Sequence, residues 1–364
     1  MKKHVQMTGI GTIATAMLLT ACGGSPIANS APEANEDATA VYDKINALTG
    51  QERTDQLVEL AEKEGKLTVY TSNTDMETII EAFESEYDID VELTRGNSET
   101  VLQKLLTEGS AGKLEVDFVD NNANELNIMA DQGFLYDYES PYRDAVRPDG
   151  QMDGWTSHYF NAFVVGWNTD KVKSADLPKE IKDFADPKWK GLISLELSDI
   201  DWYAAVSTYY LDRGMSQAEV DTMWKGIAAN ASVEKGHSTM GDMLAAGKLD
   251  IALSIYQHTV DGAADDHGAP VAWNPNDQHV EPVVVRPNGA GLMTAAEHPA
   301  AAMLFMDYVL SEGQQTIADV HRIPTVEGVP SPIDQVDTIG VPDEEMTGDR
   351  YEYWDDKYRA LVGG

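Results

Sequence analysis

Between residues 52 and 133 the chain alternates short apolar runs with amphipathic stretches, and that alternation restricts the fold more than any other feature. The spacing predicts a helix over 52–64 stopped at Gly65, then a strand over 66–70 carrying Leu67, Val69 and Tyr70. A capping box of Thr74 and Glu77 predicts the start of a helix that reaches residue 87. A strand over 90–94, a helix over 98–107, a strand over 116–119 and a helix over 123–132, stopped at Gly133, complete the series. Such alternation requires crossover connections, which lay parallel strands side by side with helices on both faces. The rhythm breaks at residues 155–167, where Phe163-Val164-Val165-Gly166-Trp167 follows a loop rich in Pro, Asp and Gly. This apolar run reads as the passage into a second lobe. There, strands are expected over 192–195, 251–254 and 271–273, and helices over 203–211, 217–229, 238–246 and 257–267. Runs at 283–286 and 291–294 read as a return crossing, before an apolar helix over 299–310 with Pro299 at a tolerated first position. The expected architecture is α/β, with two lobes joined by extended crossings around a cleft.

The N-terminus carries a separate signal. Lys2 and Lys3 precede a short apolar segment at 9–19, and small residues follow, which is the pattern of a secretory signal. The segment is too short to span ~30 Å of hydrocarbon as a retained helix. The run Leu19-Thr20-Ala21-Cys22 resembles the lipobox of bacterial lipoproteins. That resemblance implies removal of residues 1–21 and acylation of Cys22, the single cysteine of the chain. An ordinary signal with a bystander Cys22 is the alternative, although no second cysteine exists to give it a disulfide partner. Residues 22–55, small and acidic with few large apolar side chains, are expected to form a flexible tether.

Removing the signal discards Lys2 and Lys3 and no acid, so the formal charge moves from −36 to −38. Such a surface repels nucleic acid and anionic membrane, leaving the lipid as the expected contact with the bilayer. The expected location is extracytoplasmic. A mature chain of about 340 residues exceeds what one hydrophobic core organises. The expected division places residues 60–160 and 287–337 in the first lobe and 161–286 in the second, with a C-terminal tail over 338–364 that is acidic and aromatic.

In open α/β sheets a ligand lies beyond the carboxyl ends of the strands, where loops enter helices with unpaired N–H groups. This rule directs attention to Tyr70, Thr71 and Ser72, to Asp120, to Asp199 and Asp201, and to the segment around Tyr256. Tyr203 and His237 join the candidates, His237 because it follows Gly236 at a helix start. Each aromatic alone reads equally as core or cleft wall, and Tyr209-Tyr210 reads as packing within a helix. Arg286 suits either a ligand anion or an ion pair between lobes. A hard cation favours anionic oxygen, so Tyr256, Tyr203 and Asp199 are the candidate ligands for a metal in the cleft. No nucleophile elbow, Walker loop or His-Glu-x-x-His pair occurs, so enzymatic function is not expected. A metal-dependent extracellular hydrolase with zinc on His258, His267 and His279 is the alternative of another class, although their spacings of nine and twelve put them on different elements.

The order of segments resembles the extracellular solute-binding proteins of ABC importers, and in particular the ferric-iron-binding periplasmic family. The matching stretches are Leu67-Thr68-Val69-Tyr70-Thr71-Ser72, Ile79-Ile80-Glu81-Ala82-Phe83, and Asp183-Phe184-Ala185-Asp186-Pro187-Lys188-Trp189-Lys190-Gly191. The late helix followed by Glu312-Gly313-Gln314-Gln315 also matches, and the likeness spans roughly residues 60–330. The resemblance implies a two-lobed periplasmic-binding-protein-like fold (type II), a monomer that closes on its ligand and hands it to ABC permease transmembrane subunits. It implies ferric iron, free or chelated, as transported ligand, with no resident cofactor. It also implies an adjacent tyrosine pair in the segment Ser254-Ile255-Tyr256-Gln257-His258, of which this chain has Tyr256 alone. A small organic molecule or oxyanion, such as a phosphonate, a polyamine or thiamine, is the alternative cargo. Thr71-Ser72, Ser238-Thr239 and Trp202-Tyr203 would serve it.

Overall fold

The computed structural model describes residue 32 and residues 34–342 and 345–363. The signal segment and Cys22 lie outside the described residues. In the first lobe the chain runs through α1 (Glu36–Asn46), α2 (Gly50–Glu64), β1 (Lys66–Thr71), α3 (Met76–Glu84), β2 (Asp90–Arg95), α4 (Ser98–Ser110), β3 (Phe118–Asn122), α5 (Ala123–Asp131) and β4 (Leu135–Tyr136). It continues through β5 (Thr156–Asn168), β6 (Ile193–Glu196), α6 (Ile200–Asp212), α7 (Gln217–Asn230), β7 (Ala231–Glu234), α8 (His237–Ala245), β8 (Ile251–Tyr256), α9 (Gln257–Asp265) and β9 (Val271–Ala272). The return comprises β10 (Val283–Met293), α10 (Pro299–Val309), α11 (Gly313–Asp319), β11 (Ile323–Pro324), β12 (Thr338–Gly340) and α12 (Gly348–Val362).

The strands form one continuous ladder in the order β2-β1-β3-β10-β5-β8-β6-β7. β1 pairs in parallel with β2 and β3 in the first lobe, and β6 pairs in parallel with β7 and β8 in the second. Between them β5 and β10 run antiparallel from Phe163 opposite Val284 to Thr156 opposite Ala290. The two runs expected at 283–286 and 291–294 are thus one strand, which continues through Pro287. Every residue of β5 is buried, as is every residue of β10 except Pro287. A strand buried on both faces reads as an unbroken apolar run, which is why residues 155–167 stood out in the sequence.

The first-lobe core gathers Leu67, Val69, Phe83, Phe118 and Phe305. Two further clusters cover opposite faces of the second lobe's sheet. One contains Phe163, Leu195, Trp202, Tyr203 and Trp224, and the other Val164, Met240, Ile255 and Val283.

Four further expectations change. The flexible tether does not extend to residue 55, because α1 buries Ala38, Tyr42 and Ile45 along one stripe and Tyr42 donates to the Met293 carbonyl at 3.0 Å. Asn35 caps this helix by accepting from the backbone N–H of Asp37. The first lobe does not keep residues up to 337, since Ile323 and Ile333 pack with Met240 and Val283 of the second. The C-terminal tail includes α12, whose Trp354 and Tyr358 are buried in the second-lobe core against Tyr203. At α3 the capping box is not made. Thr74 Oγ1 accepts from Arg322 at 3.0 Å and donates to Asp75, and the helix stops at Glu84.

The register of β10 on β5 shifts between Asn288 and Gly289. A Cβ at Gly289 would lie 2.4 Å from the Thr156 carbonyl oxygen and 2.7 Å from the Trp155 ring. Because that neighbour is backbone, Gly289→Ala is expected to cost about 1–3 kcal/mol, the range for overpacking. Urea unfolding measures it, and an unchanged midpoint would contradict this account of the crossing.

Candidate functional site

Between the lobes, against the crossing strand β10, lies a cavity of about 650 Å³. The carboxyl ends of strands and the starts of helices form its walls. From the first lobe come Asn97, Ser98 and Glu99 at the start of α4, and Asn122, Asn124 and Glu125 at the start of α5. From the second lobe come Glu196 at the end of β6, Asp199 and Asp201 at the start of α6, Gly236 and His237 at the start of α8, and Tyr256 before α9. Arg286 rises from the β10 crossing, and Tyr351, Asp355 and Arg359 of α12 close one side.

Arg286 organises the floor. It pairs with Asp201, and its Nη2 donates to Tyr256 Oη at 2.8 Å and to Asn122 Oδ1 at 3.1 Å. One cation therefore joins a first-lobe helix start to two second-lobe groups. Burial holds the Tyr256 phenol above its ordinary pKa, and the adjacent Arg286 only partly offsets this. Tyr256 stacks on His237 with ring centroids 3.7 Å apart. The His237 Nε2 lies 3.0 Å from Asp199 Oδ1. Burial lowers the affinity of this imidazole for a proton, but Asp199 and Glu196 outweigh that and hold its pKa above the ordinary value. Glu196 accepts from the backbone N–H groups of Gly236 at 2.8 Å and Ser198 at 2.5 Å, while burial raises its pKa. Donor atoms of Glu196, Asp199 and His237 all lie within 4.8 Å of one another, the one such group among the described residues.

The lining holds six acids, Glu99, Glu125, Glu196, Asp199, Asp201 and Asp355, against Lys235, Arg286 and Arg359. Arg286 is matched by Asp201 and Arg359 by Asp355, which leaves an acidic excess suited to a cation. Five helix starts also face the cavity, and their N–H groups favour anionic atoms. Together these features suit an ion that carries an anionic shell.

Of the residues expected from the sequence, Asp199, Asp201, His237 and Tyr256 meet at this cavity. Tyr70, Thr71, Ser72, Asp120 and Tyr203 do not. The Tyr70 hydroxyl turns to Glu108 at 3.2 Å under Lys104. Thr71 donates to the fully buried Asp120 at 2.5 Å, the Ser72 N–H donates to the Asp120 carbonyl, and the other Asp120 oxygen lies 3.1 Å from His158. Tyr203 packs against Trp224, Trp354 and Tyr358 in the apolar core, where burial holds its phenol protonated, so it is not a metal ligand. His258, His267 and His279 do not form a metal-spaced group with one another. Tyr209 and Tyr210 contact each other edge to face as packing residues.

Sequence reasoning missed Asn97, Ser98, Glu99, Asn122, Asn124, Glu125 and Glu196. The same strand-end rule would have found Asn97, Ser98 and Glu99 had it been applied after β2, and Asn122, Asn124 and Glu125 had it been carried past Asp120 into the start of α5. It had no means of placing Tyr351, Asp355 and Arg359, which reach the cavity through tertiary packing of α12.

The family model for bacterial extracellular solute-binding proteins matches residues 78–339. The Fe(3+)-binding periplasmic protein of Serratia marcescens is 24% identical over 243 residues, 65% of this chain and 71% of that protein. Iron-bound HitA from Pseudomonas aeruginosa superposes with a TM-score of 0.66 at 20% identity, covering 81% of this chain and 99% of that one. The binding protein AfuA from Actinobacillus pleuropneumoniae, with fructose-6-phosphate bound, gives a TM-score of 0.67 at 21% identity over 82% and 99% of the two chains. The expected two-lobed type II fold is the one observed.

Glu125 provides a test of the cavity's electrostatics. Burial pushes its carboxyl up to about 7, against the pull of Arg286. The folded state thus holds this proton more tightly than the unfolded state, and stability is lost as pH rises from about 4.5 through about 7. Glu125→Gln should remove that loss. Its advantage over the parent in urea unfolding should grow between pH 4.5 and pH 8 by up to roughly 3 kcal/mol. A difference independent of pH would contradict this assignment.

Proposed function

This chain belongs to the bacterial extracellular solute-binding protein family, and from that premise we propose that it is the lipid-anchored substrate-binding component of an ABC importer that collects chelated iron between its lobes. The family is one of binding proteins rather than enzymes, which answers the hydrolase alternative. No helix among the described residues is long and apolar enough to cross a membrane, in keeping with attachment through acylated Cys22. The protein then hands its cargo to the importer's transmembrane subunits.

The observation that carries the reading is the cavity itself. Its volume of about 650 Å³ is far above the ~30 Å³ share of a single water and within the range of small-molecule sites. A bare ion would leave it largely empty, whereas an ion with an organic chelator would fill it. Acidic side chains answer the ion, and the five helix starts answer the chelator's oxygens. Relatives in this family include iron binders, which supports iron as the metal. A second reading, a phosphorylated or carboxylated organic ligand without metal, draws on Arg286 and the same helix starts.

Calorimetry and thermal unfolding of the mature protein separate the two. Ferric citrate should bind one to one, and at a hundredfold excess over Kd it should stabilise the fold by about 2.7 kcal/mol. Citrate alone, fructose 6-phosphate and spermidine should bind far more weakly. Saturation by citrate alone or by fructose 6-phosphate with no response to ferric citrate would move the cargo to the second reading, and saturation by spermidine alone would overturn both.

A further inference from the structure

We propose that Glu196, Asp199 and His237 form a metal-coordinating triad on the second lobe, which grips the ion of the cargo without a phenolate. This deepens the iron reading above and rests on it. The three residues come from separate elements, the end of β6 and the starts of α6 and α8, so the fold converges them where the sequence keeps them apart. Their donor atoms lie within 4.8 Å of one another. That spacing is wider than the roughly 3 Å edge of a coordination sphere with bonds of ~2.1 Å, so small rotamer shifts draw the side chains in around an ion.

A second observation points independently to a ligand. Asp199 is 4% exposed, yet its Oδ2 is buried with no hydrogen-bond partner, and so is Nδ1 of His237. Buried polar atoms are normally paired, and each of these two orphaned atoms is costly unless a ligand satisfies it; the neighbouring Oδ1 of Asp199 and Nε2 of His237 already meet at 3.0 Å. The rest of the arrangement holds both groups in place. His237 stacks on Tyr256 at 3.7 Å, and Glu196 is oriented by the N–H groups of Ser198 and Gly236 while keeping lone pairs free.

Tyr256 is not a donor to the ion, because its hydroxyl accepts from Arg286 at 2.8 Å and that guanidinium repels a cation placed there. One imidazole and two carboxylates suit iron, manganese or zinc. All three donors belong to one lobe, so the ion seats before closure and leaves coordination positions open for a chelator facing Asn97, Asn122 and Asn124.

The test uses the mature full-length protein with ferric citrate, and separately with zinc chloride, read by bound metal per chain, by affinity and by visible absorption. Asp199→Asn removes the charge at nearly constant shape, while His237→Gln removes the imidazole. Each should weaken metal binding at least about tenfold, on the scale seen when groups around a metal are altered. Tyr203→Phe, in the core, should leave affinity unchanged, and the iron form should show no phenolate charge-transfer band. A visible phenolate band, together with unaltered iron affinity in both variants, would overturn the triad and leave the iron reading standing. Absence of bound metal in the parent protein would overturn both. Should Asp199→Asn unfold, Glu196→Gln takes its place, with the same outcomes.

Discussion

The pairing of β5 with β10 is the constraint on which the rest depends. These two strands belong to both lobes at once, and each lobe's own sheet is completed only by them: β3 pairs with β10, and β8 with β5. Buried backbone groups must find partners, so the ladder cannot come apart without exposing N–H and C=O groups in the middle of the molecule. The lobes can therefore tilt but not separate. The irregularity at Asn288 and Gly289, where backbone and the Trp155 ring leave no room for a side chain, is where the ladder already departs from regular pairing.

Polar contacts run beneath the cleft along these same strands. Arg322 donates to Asn161, Asn161 to Asn288, and Asn288 to Asn122, on which Arg286 also converges. Arg322 reaches Thr74 and Asp75 in the first lobe, and Arg286 reaches Asp201 and Tyr256 in the second. A connected network of this kind fixes the side chains that form the cavity floor. It also decides which charges stay available. Asp201 is matched by Arg286, so the second-lobe strand-end and helix-start acids left to meet a cation are Glu196 and Asp199. The large negative charge of the chain as a whole does not make that distinction.

Much of this was legible from residues alone, and the reasons are local. The alternation over 52–133 showed because each strand and helix there has its own periodicity, and α2 and α5 stop at the left-handed glycines Gly65 and Gly133. The crossing strand showed because burial on both faces forbids polar alternation. Asp199, Asp201, His237 and Tyr256 followed from the rule that ligands meet helix starts. The failures are tertiary. Tyr70, Thr71 and Asp120 stand at correct strand ends, but Glu108, Lys104 and His158 claim their polar atoms, and no spacing in the sequence announces those partners. Tyr203 lies two residues from Asp201, yet a rotation of about 200° around the helix separates their directions and carries its ring into the core. The helices α1 and α12 were passed over because the first lies in a segment of acids and small residues and the second in one of acids and aromatics, and their apolar stripes gain meaning only from the surfaces they cover.

The central claim is that two lobes on a shared strand pair close over cargo. The direct measurement is the distance between spin labels on exposed residues of each lobe, at Glu77 on α3 and Gln217 on α7, with and without ferric citrate in the mature, unlipidated protein carrying Cys22→Ser. The account predicts that cargo narrows the distribution and shifts it to one state of defined separation. An identical, broad distribution in both conditions, with ferric citrate bound, would contradict it.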